Sequence, residues 1–197
     1  MSKDENTMRS PLHNFILRLF MNQTTVSIMT FFGIAIVLSF VVEGESTIEG
    51  STVYFLLGSL LALFILAVIS YSVAWRIGQR EYNLVKYDHI RLDMRRGIKA
   101  GLFSQLPYFA LGTTATIMYY AGMESAYLWM KIFYFPFWWL FRLHDRPYMF
   151  LISLMFVPLM ANWGYRYGYA FISLRHKLVY QNPDKSEKRK SMDKRLR

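Results

Sequence analysis

Long apolar blocks alternate with polar, mostly basic segments along the chain. A helix that crosses the hydrocarbon core of a bilayer, about 30 Å thick, needs about 20 apolar residues. Blocks of that length lie at 24–42, 53–75, 100–122 and 147–168, and they contain a single charged residue, Arg166. The pattern therefore predicts an all-α integral membrane protein, a four-helix bundle with amphipathic helices on its surface.

Composition supports a membrane protein. The 197 residues are 54% hydrophobic and only 18% charged, whereas about 25% of the residues in soluble domains are charged. The net charge of +10 is explained by membrane topology before nucleic acid is considered, so we expect no specific nucleic-acid partner. The absence of cysteine excludes disulfides, thiolate metal sites and a cysteine nucleophile.

The distribution of Lys and Arg predicts an orientation. Basic residues occupy the N-terminal arm, the segment 76–99 and the region after residue 168, whereas 43–49 holds three Glu and no Lys or Arg. By the positive-inside rule, both termini and the central loop are cytoplasmic, and the protein is predicted to be a multi-pass membrane protein. A cleaved signal peptide is the alternative for the first block, but the block is longer than an h-region.

Two polar segments carry apolar residues at helical spacing. Five of them follow Ser10 and Pro11, and five more occupy the central loop, so both segments are predicted to be amphipathic helices that bind anionic lipid at the cytoplasmic face. For the N-terminal helix, packing against the cytoplasmic end of the bundle is an equally good interpretation. The residues are Leu12, Phe15, Ile16, Leu19 and Phe20, and Leu84, Tyr87, Ile90, Met94 and Ile98. Residues 1–180 form one predicted transmembrane domain, and 181–197 a basic, disordered tail.

The stretch FYFPFWWLF at 133–141 places seven aromatic rings around Pro136. We predict that Tyr127 to Leu143 forms a kinked interfacial helix or a shallow re-entrant segment at the outer leaflet, where Trp and Tyr rings bridge lipid and water. An aromatic belt that only anchors the protein is the preferred interpretation. The alternative is a groove for an acyl chain, an isoprenoid or a partner helix, formed by Phe133, Tyr134, Phe137, Trp138, Trp139 and Arg142.

The fourth span carries a candidate polar and helix-packing face. Asn162 and Arg166 are one helical turn apart, and Gly164 and Gly168 have the GxxxG spacing that lets a second helix approach closely. The polar residues predict an anion pocket or a site for a partner's carboxylate. An arginine that reaches lipid phosphate at the membrane boundary is the preferred alternative. Pro107 and Pro158 are predicted to kink their helices.

Few residues support catalysis. The sequence has no GxSxG nucleophile motif, no HExxH zinc motif and no glycine-rich phosphate loop. Asp88, His89 and Asp93 are best explained as a solvated helix face, and His144 beside Asp145 has no positioned substrate. We therefore predict no cofactor, metal or catalytic residue. A noncatalytic protein is the favoured interpretation, and an enzyme is the alternative.

The preferred functional hypothesis is an accessory or scaffolding subunit that assembles with other membrane proteins or with itself. The alternatives are a small lipid- or solute-handling transporter component and, less favoured, a membrane enzyme that acts on a lipid headgroup. The pattern RxxNLVKYxHI at 80–90 and the closing GYRYGYAFISLRHKLVY at 164–180 resemble those of small, uncharacterised multi-pass membrane proteins of Gram-positive bacteria. That resemblance implies a bacterial plasma membrane and carries no activity.

Overall fold

A computed structural model describes residues 12–41, 48–86, 93–144 and 146–180. These residues form helices and turns and contain no strand. The eight α-helices of the described part are α1 Leu12–Val41, α2 Ile48–Lys86, α3 Arg96–Ser104, α4 Leu106–Tyr120, α5 Glu124–Phe133, α6 Trp138–His144, α7 Phe150–Ser153 and α8 Phe156–Tyr180. Short 3-10 helices at Phe135–Phe137 and Pro147–Met149 precede α6 and α7. The predicted tail, 181–197, lies outside the described residues.

Three segments in the described part are long and apolar enough to cross a membrane: Leu12–Ser39, Thr52–Val85 and Pro147–Ala170. They match the first, second and fourth predicted spans. The third predicted span, 100–122, differs because it is not one helix: α3 ends at Ser104, Gln105 forms a turn, and α4 begins at Leu106. The all-helical class and the apolar helices agree with the sequence, whereas the four-helix bundle is not confirmed.

The helices are interrupted close to both prolines that were predicted to cause kinks. Pro107 occupies the first turn of α4, where the missing amide hydrogen would have had no partner in any case. Pro158 follows the turn at Leu154 and Met155, which separates α7 from α8. Because proline cannot donate to the carbonyl four residues earlier, the carbonyl of Leu154 loses its helical partner there.

The two predicted surface helices are not separate surface elements. Phe15 and Leu19 belong to the start of the continuous helix α1 and are buried against the core, as the packing alternative predicted. In the central segment, α2 extends to Lys86 and a turn at Asp93–Arg95 leads into α3. In the described part of this segment, Arg96 is buried rather than solvated, and Met94 is 43% exposed. Residues 87–92 lie outside the described part.

Glycines bring α2, α3 and α8 into close contact. A Cβ added to Gly164 or Gly168 of α8 would lie 2.3 Å from the carbonyl oxygen of Tyr71 or Trp75 in α2. On the other side of α8, a Cβ at Gly101 of α3 would lie 2.5 Å from the Cα of Pro158. Helix backbones approach this closely only where small residues line the contact. We call these three helices the glycine-packed triad.

The aromatic segment after α5 packs into the protein. The Phe135 ring meets Phe31 of α1 and Phe55 of α2 edge-on, with centroids 5.6 Å and 6.2 Å away. The Tyr134 ring lies 5.4 Å from that of Tyr108 in α4, and its hydroxyl donates to the Tyr108 carbonyl oxygen at 2.5 Å. Edge-to-face pairs of this kind stabilise beyond the area that they bury. The segment therefore links α1, α2 and α4.

We expect Gly164→Ala to destabilise the protein. Its new methyl group would press on a backbone oxygen 2.3 Å away, and overpacking of this kind costs about 1–3 kcal/mol. The matched control is Gly33→Ala in α1, where an added Cβ meets nothing within 4 Å. Denaturant unfolding of the purified protein in detergent measures both variants. Equal stability of the two would contradict the close α2–α8 packing.

Candidate functional site

An apolar groove opens between α1 and the α3–α4 break. Its outer cavity, about 450 Å³, lies in the size range of small-molecule sites. The inner cavity, about 80 Å³, shares two walls with the outer one, Phe20 and Pro107, so the two form one groove. We call it the lateral groove. His13, Ile16, Leu17, Phe103 and Ser104 complete the outer cavity, and Thr24, Tyr108, Leu111 and Phe133 the inner one.

The break at Gln105 lies beside the groove. Helix α3 ends at Ser104, and α4 begins at Leu106 with Pro107 in its first turn, a position at which a helix can bend. Around the groove, large apolar side chains such as Leu17, Leu102 and Leu106 face outward and are about half exposed. In a helix of a membrane-spanning segment, such a surface is suited to lipid tails rather than to water.

Polar side chains lie behind the apolar wall of the groove. Gln105 and Gln23 are almost fully buried, and Gln105 Nε2 donates to Gln23 Oε1 at 2.8 Å. The same nitrogen lies 3.3 Å from the Oγ of Ser104, which lines the outer cavity. In the inner cavity, the hydroxyls of Thr24 and Tyr108 are 3.0 Å apart. These bonds join α1 to the α3–α4 break at the level of the groove.

The walls of the groove are mostly apolar. Of the side chains that line its two cavities, His13 and Tyr108 alone carry a titratable group. The hydroxyl of Tyr108 is within hydrogen-bond distance of the hydroxyl of Thr24. His13 lies with Leu17 in the outer cavity. The remaining walls are aliphatic, aromatic or hydroxyl-bearing, which suits an apolar chain in a largely preformed site.

The aromatic residues predicted to line a groove take different positions. Tyr134 and Phe137 are 0% and 3% exposed, inside the protein, so they form neither an interfacial belt nor an open groove. Trp138 and Trp139 are half-buried, and Arg142 is exposed. Phe133 is the member of this set that lines a cavity, the inner part of the lateral groove. The location of the segment relative to the outer leaflet stays a prediction.

The four residues of the predicted polar and helix-packing face of the fourth span lie in different surroundings. Gly164 and Gly168 pack against α2 of the same chain, so they are not available to a partner helix. Arg166 is exposed, and Asn162 is half-buried with its Oδ1 atom inside the protein and without a hydrogen-bond partner. The two polar side chains therefore differ in exposure, although they share the spacing of one helical turn.

The sequence interpretation missed a buried charge cluster within the glycine-packed triad. Glu81 of α2 and Arg96 of α3 form an ion pair with side chains only 2% and 6% exposed. The hydroxyl of Tyr165 in α8 donates to the other carboxylate oxygen of Glu81 at 2.6 Å. We call this the Glu81 cluster. Each of the three helices supplies one member, and buried charges are tolerated when they are paired in this way.

The residues considered for acid–base or metal chemistry remain apart from the groove. Asp93 accepts from Lys99 at 3.0 Å on the protein surface, and His144 is exposed. Asp88, His89 and Asp145 lie outside the described residues. Within the described part, no group of three or more His, Asp or Glu residues is placed to hold a metal ion.

Comparison with known proteins supplies no relative. No protein-family model, no curated protein and no solved structure matches the chain. The resemblance to bacterial multi-pass proteins therefore stays a prediction, and the argument for function depends on the chain's own residues.

We expect a single substitution in the Glu81 cluster to lower the free energy of unfolding more than a double substitution that removes both charges. Glu81→Leu removes the carboxylate that pairs with the buried Arg96, and losing one member of a buried pair costs about 3–5 kcal/mol. Combining it with Arg96→Met removes both charges and should recover most of that loss. Denaturant unfolding of the singles and the double gives the coupling free energy.

The control is Asp93→Asn, which disrupts the exposed pair with Lys99 and should change stability by less than about 1 kcal/mol. Additive effects of the Glu81 and Arg96 substitutions would contradict the ion pair.

Proposed function

We propose that this protein is a noncatalytic membrane protein that binds the acyl chain of a lipid in the lateral groove, as a small lipid-handling component of the membrane. The observation that carries the proposal is the groove of about 450 Å³ beside the α3–α4 break, with apolar walls and His13 at the N-terminal end of α1. A site of this size holds a chain rather than a single solvent molecule.

The chemistry of the groove's surroundings favours a lipid over a polar solute. The outward-facing side chains on both sides of the groove are apolar, including Leu17 of α1 and Phe103 of α3, so the medium at this level is the lipid tails. His13 and the exposed Arg18 lie on the first turns of α1. The guanidinium of Arg18 is a positive charge at this margin and attracts an anionic headgroup.

The proposed topology has both termini in the cytoplasm of a bacterial plasma membrane. The supporting argument is the excess of Lys and Arg at 76–99 and after residue 168. In this arrangement α3 and α4 together make the third of four crossings, and α5 and α6 lie toward the outer leaflet. The Glu81 cluster then lies at the cytoplasmic side, where α2 extends beyond the hydrocarbon.

The accessory-subunit hypothesis loses its predicted interface. The GxxxG face of α8 is used within the chain, against Tyr71 and Trp75, so a partner membrane protein would have to bind elsewhere. No described contact favours a particular surface for such a partner, and the lipid-handling hypothesis is therefore preferred. The headgroup-enzyme hypothesis has no positioned acid or base to support it.

The topology predicts which engineered cysteines a reagent can reach. The natural chain has no cysteine, so each substitution gives a single reactive site. Ser125→Cys and Arg95→Cys replace exposed residues on opposite sides of the proposed membrane. In intact cells, a membrane-impermeant maleimide should label Ser125→Cys and should label Arg95→Cys only after permeabilisation. The reverse pattern would overturn the orientation.

Filling the groove should prevent lipid binding. Leu17→Trp and Phe103→Trp each enlarge a side chain of the outer cavity. We expect each to lower the affinity for a phospholipid with a photoreactive acyl chain by about tenfold or more, because overpacking a site costs about 1–3 kcal/mol. Crosslinking in vesicles that contain phosphatidylglycerol measures the occupancy.

The matched control is Phe64→Trp in α2, which replaces a side chain that is 67% exposed and is not among those that line the groove. It should crosslink as the natural protein does. Equal crosslinking of all four proteins would mean that the groove is not the binding site.

A further inference from the structure

One end of the lateral groove carries polar and charged side chains, unlike its apolar walls. On α1, His13, Leu17 and Phe20 line the outer cavity at intervals of four and three residues, so they form one stripe along the helix. His13 is exposed and lies at the N-terminal end of this stripe. The α1 wall therefore ends in a ring that can donate a hydrogen bond.

Lys99 lies beside the opposite wall, one helical turn before Phe103. Residues four apart in a helix share one face, with Cβ atoms about 5–6 Å apart, and Phe103 lines the outer cavity. The side chain of Lys99 is 49% exposed. The lysine thus continues the α3 wall toward the N-terminal end of that helix, where its ammonium is accessible.

His13 and Lys99 border the same end of the groove. The outer cavity joins His13 of α1 to Phe103 of α3. Further along both segments, Thr24 of α1 lies 3.0 Å from Tyr108 of α4. Residues later in α1 therefore meet residues later in α3 and α4, which means that the N-terminal ends of the two walls lie on one side.

Asp93 holds Lys99 at this end of α3. Its Oδ2 atom accepts from Lys99 Nζ at 3.0 Å, and its Oδ1 atom accepts from the backbone amide of Arg95 at 3.0 Å. The Asp93 side chain is 34% exposed, and the coupling of so exposed a pair is weak. An anionic ligand can therefore replace Asp93 as the partner of Lys99.

We infer, on the basis of the proposed function, that this end of the lateral groove is a phosphate subsite for a net-anionic phospholipid. Lys99 exchanges Asp93 for the lipid phosphate, and His13 donates to the same phosphate from the α1 wall. The acyl chain then extends along the groove toward Phe133. Lys99 is the residue that determines specificity for the headgroup, because its ammonium offers three donors and a full charge.

The charges around the subsite favour a net-anionic lipid over a zwitterionic one. Arg18 of α1 and Arg95, beside the first residue of α3, are both exposed. They repel the ammonium of a zwitterionic headgroup and attract a headgroup that carries only the phosphate charge. Phosphatidylglycerol is a lipid of the second kind, and phosphatidylethanolamine is a lipid of the first kind.

Competition for crosslinking tests the subsite. The purified protein is placed in phosphatidylcholine vesicles with a trace of photoreactive phosphatidylglycerol, and the competitors are phosphatidylglycerol and phosphatidylethanolamine with identical acyl chains. We expect phosphatidylglycerol to compete about fivefold more effectively, the factor for one lysine near the headgroups. Lys99→Gln keeps most of the side chain without its charge and should lose this preference, and His13→Phe should weaken it by a smaller factor.

Asp93→Asn should have the opposite effect. Asparagine can still accept from the amide of Arg95, but it no longer holds the Lys99 ammonium, so the affinity for phosphatidylglycerol should rise by up to about fivefold. In the variant Lys99→Gln/Asp93→Asn this gain should vanish, because it acts through Lys99. An equal gain with and without Lys99 would overturn the exchange of partners.

The matched control is Arg166→Gln, which removes an exposed cation of α8, a helix that supplies no residue to the groove walls. It should keep the preference for phosphatidylglycerol. Glycerol phosphate, a headgroup without acyl chains, should leave the crosslinking unchanged. Displacement by glycerol phosphate would mean a site for a soluble phosphate compound and would overturn the lipid subsite.

The subsite and the proposed function fail in different ways. If Leu17→Trp and Phe103→Trp lower the crosslinking but the natural protein accepts both competitors equally, acyl-chain binding stands and the phosphate subsite is excluded. If filling the groove and adding either competitor both leave the crosslinking unchanged, the proposed function itself fails.

Discussion

The buried ion pair between Glu81 and Arg96 is the interaction on which the packing of α2, α3 and α8 depends. Its two residues lie on α2 and α3, and Tyr165 of α8 donates to the same carboxylate. Separating any one of these helices would break the ion pair or the hydrogen bond to this carboxylate. The glycines of the triad make the arrangement possible, because larger residues would hold the backbones too far apart.

The Glu81 cluster also determines the shape of the lateral groove, although it lies outside it. Helix α3 is only nine residues long, held at its first residue by Glu81 and along one face by Pro158 and Ala161 of α8. Its last residues, Phe103 and Ser104, line the outer cavity. The contacts of α3 with α2 and α8 therefore place its final turn beside α1, where it forms part of the groove wall.

The sequence predicts the parts of this architecture that depend on local signals. Apolar length predicts α1, α2 and the Pro147–Ala170 segment, and Pro107 and Pro158 predict the two interruptions. The Glu81 cluster was missed because the charges at 81–99 fit a solvated amphipathic face equally well. Glu81 and Arg96 are buried where α2 and α3 contact α8, and Tyr165 and Glu81 are 84 positions apart in the sequence. The spacing of apolar residues within one helix does not predict a contact between residues so far apart.

The aromatic segment is a second case in which the sequence did not predict burial. It also forms one side of the groove. Its composition is that of a membrane interface, yet Tyr134 and Phe135 are fully buried because rings from α1, α2 and α4 surround them. Phe133, at the end of α5, forms part of the inner cavity, so the segment closes the groove on that side. In lipid, an exposed apolar surface carries no penalty and identifies no site by itself. The groove is distinguished by its volume of about 450 Å³ and by the residues that α1, the α3–α4 break and Phe133 supply to its walls.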